Sequence, residues 1–355
     1  RAVAGPTPTG WPMSIDQLFK QANAAFQAGD FAGAERRYRA LTRLKPGWAF
    51  HNLGAVHVAQ GRFAEAEAAL GQALAADPAN PDSRNSLGRL LMGAGRYAEG
   101  WPLMEARRDG PRSRAPRPAV GCPEWQGEDL TGKRLLVYPE QGFGDQIQFF
   151  RHLLALAAAG AQVTVISPPP LVRLFEGRGV AVVEAAPGCR IPDGDYWTLT
   201  CSVPLHMGVT LETIPPAPYL ALPAVPTAGV GVLAAGSPGH LNDRHRSLPP
   251  KAAARLAALG RSLAPQDTGA RDFRDTAEIV AGLDLVISVD TSVVHLAGAM
   301  GKPVWVLLPA VDTDWRWLRG RGDSPWYPSA RLYRQGAPGA WDPVLDQVAR
   351  DLAAR

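Results

Sequence analysis

Two short stretches of this 355-residue sequence carry residue types that can do chemistry at a spacing that presents them together. The first is Asp290-Thr291-Ser292-Val293-Val294-His295, where the apolar run 284–290 ends in a carboxylate and a helical pattern begins at once. Thr291 and His295 stand four apart and so share one helix face. The free backbone N–H groups of such a helix start, with the positive end of its macrodipole, make a seat for a diphosphate, and the Thr291 and Ser292 hydroxyls add donors. Plain N-capping by Asp290 or Thr291, with His295 packed inside, is the alternative that the sequence leaves open. The second stretch is Pro139-Glu140-Gln141-Gly142-Phe143-Gly144-Asp145, a glycine turn leading from an apolar run into a helical one, with a carboxylate at the start of the helix.

The elements that must position these groups alternate along the chain. RLLVY (134–138), AQVTVIS (161–167) and GVAVVEA (179–185) read as strands, with a helix over IQFFRHLLALAAAG between the first two. Proline density rises over 211–229, which reads as a hinge; VGVLAAG then starts a second series. That series runs through a helix over PPKAAARLAALG, a short strand at 261–264, a helix over DTAEIVAGL, strands at 284–290 and 303–309, and a helix over SVVHLAGAMG between those two. Alternation of this kind predicts two parallel, doubly wound sheets. Ligands bind outside the carboxyl ends of such strands, so the loops after Tyr138, Gly236, Asp290 and Pro309 matter most.

The first hundred residues repeat. Gly29-Asp30-Phe31-Ala32, Gly61-Arg62-Phe63-Ala64 and Gly95-Arg96-Tyr97-Ala98 recur at intervals of 32 and 34 residues, and seven positions before each glycine stands Ala22, Gly54 or Gly88. Each unit reads as helix, glycine turn and helix, with Pro46 and Pro78 closing the first two. The pattern resembles the tetratricopeptide repeat and implies a short solenoid whose concave face holds a peptide or protein; capping or dimerisation is the plainer reading. Residues 107–133 are rich in Pro, Gly and Arg and read as a linker, or as an irregular arm packed on the next domain.

The segment DTSVVHLAGAMGKPVWVLL is similar to the D-T-G-x-x-H-L-A-A-A-L-G-x-P segment of the heptosyltransferases, matching at Asp290, Thr291, His295 and Gly301, with Ser292 in place of the family's glycine. In that family the segment holds the diphosphate of a nucleotide-sugar. Gly144-Asp145 resembles the family's G-D pair, whose aspartate serves as general base. The resemblance implies that Asp145 takes the proton of an attacking acceptor hydroxyl, a step worth about 10²–10⁴ in rate, with Gln141, Gly142 and Gly144 forming the surrounding loop. Glu140 is the alternative carboxylate, and helix capping is the plain role for either. Arg246-Ser247-Leu248-Pro249 is similar to the family's lysine before an aromatic-proline step. Asn242, Arg244 and Arg246 are therefore expected at the leaving phosphate, unless the loop is simply solvated. Trp315 could stack on a base or sugar ring or could belong to packing.

Composition narrows the field further. The 37 basic and 33 acidic residues are spread along the chain, giving a net charge of +4, and this argues against nucleic acid as a partner. Cys122, Cys189 and Cys201 show neither a disulfide framework nor zinc spacing. Asp193-Gly194-Asp195 and Asp312-Thr313-Asp314 look like metal-binding DxD motifs but are explained by turn chemistry, and Arg321-Gly322-Asp323 is a chance tripeptide. No apolar stretch reaches the ~18 residues needed to cross a bilayer, so membrane insertion is not expected.

The expected organisation is a remnant or frayed tail over 1–12, three repeats over 13–108, a linker over 109–132, an acceptor-side Rossmann-like lobe over 133–222, a nucleotide-sugar lobe over 223–341 and a terminal helix over 342–355. Together this is an α-helical tetratricopeptide solenoid followed by an α/β GT-B domain of two Rossmann-like lobes, analogous to the O-linked N-acetylglucosamine transferases. The function so implied is a metal-independent, inverting, cytoplasmic bacterial glycosyltransferase without cofactor, acting on a protein acceptor such as flagellin. The alternatives are a non-catalytic repeat scaffold with a degenerate GT-B domain and a transferase acting on a lipid-linked glycan. The sugar, the nucleotide, the acceptor and the oligomeric state are left open.

Overall fold

Three glycines set the rhythm of the helical region. Gly29, Gly61 and Gly95 adopt φ of 77°, 71° and 81°, a left-handed turn that a side chain with a Cβ enters only at a cost. The computed structural model describes residues 14–110, 113, 115–223, 225–240 and 242–355, so the expected tail over 1–12 lies outside the described residues. Contacts divide the chain into two compact units that meet in sequence between Leu90 and Leu91.

In the first unit the helices Ile15–Gln27, Phe31–Leu41, Pro46–Ala59 and Phe63–Ala76 form two hairpins, and Pro81–Gly93 begins a third. Ser14 and Gln17 close a reciprocal capping box on the first helix, with both bonds at 3.1 Å. Asp30 caps the second helix by accepting the Gly33 N–H at 2.8 Å. Ala22, Ala34, Tyr38, Leu41, Ala49, Leu53 and Val56 face one another in a continuous apolar seam. The small residues at Ala22 and Ala34 let the helices approach closely.

The second unit starts inside the third hairpin, at Leu91. The reason lies in the helix Tyr97–Met104, whose aromatic residues are committed to the α/β core. Trp326 Nε1–H donates to Tyr97 Oη at 2.8 Å, and Trp101 Nε1–H donates to the Val209 carbonyl at 2.8 Å. The described part of the arm that follows is tied down at Glu124 and Trp125. Arg108 grips Glu124 with two bonds at 2.6 and 2.9 Å, Trp125 is buried, and its N–H donates to the Trp197 carbonyl at 2.8 Å.

Two parallel sheets follow. β1 (Arg134–Tyr138), β2 (Gln162–Ser167), β3 (Ala181–Glu184) and β4 (Tyr196–Leu199) lie in the order β3-β2-β1-β4. β5 (Val230–Leu233), β6 (Arg261–Ser262), β7 (Leu285–Val289), β8 (Val304–Leu308) and β9 (Ala330–Arg334) lie in the order β6-β5-β7-β8-β9. The central strands β7 and β8 are buried at every residue, as expected for a sheet covered on both faces. The order reverses between β1 and β4 in the first sheet and between β5 and β7 in the second. In sheets of this kind ligands bind at such switch points, outside the carboxyl ends of the strands.

The proline-rich passage between the sheets is pinned at several points, which a free hinge would not be. Tyr219 N–H and Leu220 N–H both donate to the Ala299 carbonyl, at 2.9 and 3.0 Å. Tyr219 Oη–H donates to the Ile147 carbonyl at 2.9 Å, and Arg151 Nη1 donates to the Pro215 carbonyl at 2.9 Å. The passage is thereby tied both to the helix Phe143–Ala158 of the first sheet and to the end of the helix Ser292–Ala299 of the second.

Candidate functional site

Each switch point carries one of the two stretches picked out in the sequence. After β1 the chain turns through Gln141, which takes a φ of 61°, and enters the helix Phe143–Ala158 with Gly142 at its N-cap. Asp145 is the third residue of that helix, and its Oδ2 accepts the Gly142 N–H at 2.9 Å. The capping role is therefore present. After β7 the chain passes Asp290 and Thr291 and enters the helix Ser292–Ala299, whose N-cap Thr291 makes no side-chain capping bond. Thr291 Oγ1 instead lies 3.1 Å from Ser288 Oγ.

The two helix starts meet. A Cβ placed on Gly144 would lie 2.7 Å from His295 Cδ2 and 3.5 Å from Ser292 Cα, so glycine is what allows this approach. His295 is buried, stacks on Trp317 at 5.5 Å between ring centroids, and has its Nδ1 3.0 Å from Tyr327 Oη. Burial, reinforced by Arg316, Arg151 and Arg246, drives its pKa well below the usual histidine range, so the imidazole is neutral at neutral pH. Its Nε2 is 3.9 Å from Asp290 Oδ1. Asp290 moves the other way. Burial and the Asp314 carboxylate push its pKa up to about 6 against the opposing pull of Arg316, Trp317 and Arg246.

The remaining sequence candidates fall in three places. Arg246 lies across Gly236 and donates from Nη1 to the Asp290 carbonyl at 2.9 Å, joining the loop after β5 to the loop after β7 at the switch point. Arg244, two residues away on the turn Asp243–Arg246, is exposed and lines a cavity of about 280 Å³ with His245, Ser247, Pro309, Gln335 and Trp341. Within that cavity's wall the amide nitrogen of Gln335 is buried without a hydrogen-bond partner. Asn242 donates to the Asp312 carbonyl at 2.8 Å. Trp315, for which stacking on a ring and packing were both open, is 7% exposed and lies edge-on against Tyr97, Trp101 and Trp326.

Glu140 is not poised for proton transfer. Its two oxygens accept Arg107 Nη2 at 2.6 Å and Arg107 Nε at 2.9 Å, and Oε1 also accepts the Cys201 N–H at 3.0 Å. Burial alone would lower the Arg107 pKa, but Glu140 reverses this and holds it above the usual arginine range. One carboxylate of each DxD-like pair is engaged by an arginine: Asp195 binds Arg134 at 3.0 Å, and Asp314 binds Arg316 at 2.9 Å. Among the described residues no cluster of three or more His, Cys, Asp or Glu is placed to hold a metal, and no helix is long and apolar enough to cross a membrane.

One site residue escaped the sequence reading. Arg316, on the turn Trp315–Trp317, is 8% exposed and reaches from the second sheet to the first, donating from Nη2 to Asp145 Oδ1 at 2.5 Å. Burial opposes its charge, yet Asp314, Asp145 and Asp290 together hold its pKa above the usual range. Nothing local could have revealed its bond to Asp145, which lies 171 residues away.

Comparisons with known proteins agree with the helical region. Residues 19–56 and 57–100 each match a tetratricopeptide repeat model, and the helical hairpins are tetratricopeptide repeats. Protein FlbA of Caulobacter vibrioides is 29% identical over 395 aligned positions, which take in 92% of this chain and 65% of that protein; the chain thus spans just under two thirds of the relative's length. Among solved structures, a family 9 glycosyl transferase from Veillonella parvula aligns over 65% of this chain and 99% of its own, at 12% identity and a TM-score of 0.44. TibC, an iron-containing dodecameric glycosyltransferase of enterotoxigenic E. coli, aligns over 63% and 78%, at 13% identity and 0.41. An O-GlcNAc transferase mutant of Thermobaculum terrenum aligns over 96% and 72%, at 15% identity and 0.27.

Proposed function

We propose that this tetratricopeptide-repeat protein is a glycosyltransferase that moves a sugar from a nucleotide-sugar, seated at the carboxyl end of the second sheet, to a hydroxyl or amide of a protein acceptor recruited by the repeats. The observation that carries the reading is the meeting of the two helix starts, which brings the Asp145 carboxylate to the side of the helix that begins at Ser292. The diphosphate would take the Ser292 and Val293 amides, with the neutral His295 and Arg246 beside it. The cavity of about 280 Å³ on the far side of the turn Asp243–Arg246 would take the nucleoside.

In this reading Asp145 accepts the proton of the acceptor as the acceptor attacks the anomeric carbon, and attack from the face opposite the leaving diphosphate inverts the configuration. No residue is assigned to a metal or cofactor, and the site reading works without one. Coexpression with candidate acceptors followed by intact-mass analysis tests it: the wild type should add one sugar mass, and Asp145→Asn should add none while still binding donor. Full transfer by that variant would remove Asp145 from the mechanism.

A second reading has its own observation. Both Asp145 oxygens are engaged, by Gly142 and by Arg316, as they would be in a scaffold that has lost its chemistry. Calorimetry against a panel of nucleotide-sugars separates the two, since a scaffold should bind none of them.

A further inference from the structure

Arg316 is an unusual group to bury. Its side chain is 10% exposed, Nη2 donates to Asp145 at 2.5 Å and Nη1 reaches Asp314 at 2.9 Å. Its Nε, sealed from solvent, has no hydrogen-bond partner. A buried guanidinium N–H without an acceptor costs stability, and such orphans concentrate where a ligand completes the set. The same side chain acts electrostatically on Asp290 and on His295, the residues that flank the Ser292 helix start, so its charge is felt at the proposed diphosphate seat. A diphosphate there brings several acceptor oxygens and more charge than one carboxylate, and a planar fork of N–H groups suits it better than a point cation would.

We propose that Arg316 is held in reserve by Asp145 and passes to the donor diphosphate on binding, so that arrival of the donor releases Asp145 Oδ1 for the acceptor's proton. This inference rests on the diphosphate seat argued above and adds to it an order of events: the base is masked until the leaving group is in place.

The test is a double-mutant cycle read by calorimetry with inorganic pyrophosphate as the probe, on the full chain. Arg316→Gln should weaken binding about tenfold or more, the scale of one charge-assisted interaction. Asp145→Asn should tighten it several-fold, because the competing carboxylate is gone. In the double variant the gain from Asp145→Asn should vanish, since there is no guanidinium left to release. A gain that persists in the Arg316→Gln background is simple charge repulsion and overturns the proposal, as does wild-type affinity in Arg316→Gln; either result leaves the diphosphate seat standing. Failure of the wild type and of every variant to bind pyrophosphate overturns the seat and this inference together. If Arg316→Gln does not fold, Arg316→Met closes the same cycle, because it keeps an apolar stem in the buried site and removes the cation.

Discussion

Gly144 and His295 touch across the two sheets, with no room for even a methyl group between the glycine and the imidazole Cδ2. The ring cannot retreat, because it is stacked on Trp317 and held by Tyr327. Gly144→Ala should therefore lower stability by about 1–3 kcal/mol despite alanine's better helix propensity, and should weaken pyrophosphate binding by parting the helix starts. Urea unfolding and calorimetry check this, and an unchanged midpoint would mean that the imidazole moves freely.

Asp290 gives a pH dependence with a definite sign. Its pKa is raised in the folded protein to about 6 from an ordinary 3.8, so the folded state holds its proton more tightly than the unfolded chain. The stability this gives is present below about pH 4 and is lost as the pH rises through about 6. Asp290→Asn should match the wild type near pH 4 and exceed it at pH 7.5, by up to about 3 kcal/mol. Thermal melts across that window measure the difference.

The buried histidines act in the opposite direction. Burial, with Arg151 beside it, depresses the His152 pKa to about 3; its Nδ1–H donates to the Phe149 carbonyl at 3.2 Å and its Nε2 meets no partner. The unfolded chain takes up this proton near pH 6.5, so stability is lost as pH falls below that value, by about 1.4 kcal/mol per unit. His152→Phe should flatten the stability curve between about pH 6 and 4, and an unaltered slope would show that His152 does not titrate on unfolding.

Arg107 and Glu140 form a buried pair, with side chains 6% and 1% exposed. Glu140→Gln leaves the guanidinium short of a counter-charge and should cost about 3 kcal/mol, read as a lower urea midpoint at unchanged slope. A change below about 0.5 kcal/mol would place the pair among those that solvent relaxes.

The parts of this structure that were legible in the sequence are those written locally. The turn at Asp290 showed itself because apolar β-branched residues give way to helical spacing at a carboxylate, and the turn at Gly144 showed itself through two glycines before a helical run. β4 and β9 were missed because YWTL is four residues long among turn formers, and ARLYR carries arginines at both interior and edge positions. Trp315 stayed open between two roles because an aromatic side chain announces burial or stacking without saying which. Arg316 and the interlocking of Tyr97 with Trp326 depend on residues 171 and 229 positions away, and no window along the chain contains such pairs.

The helix Tyr97–Met104 has a bearing on where this chain can be divided. Its indole and phenol groups belong to the α/β core, so cutting the chain after this half-hairpin would strip two hydrogen-bonded aromatic side chains from the sheets' own interior.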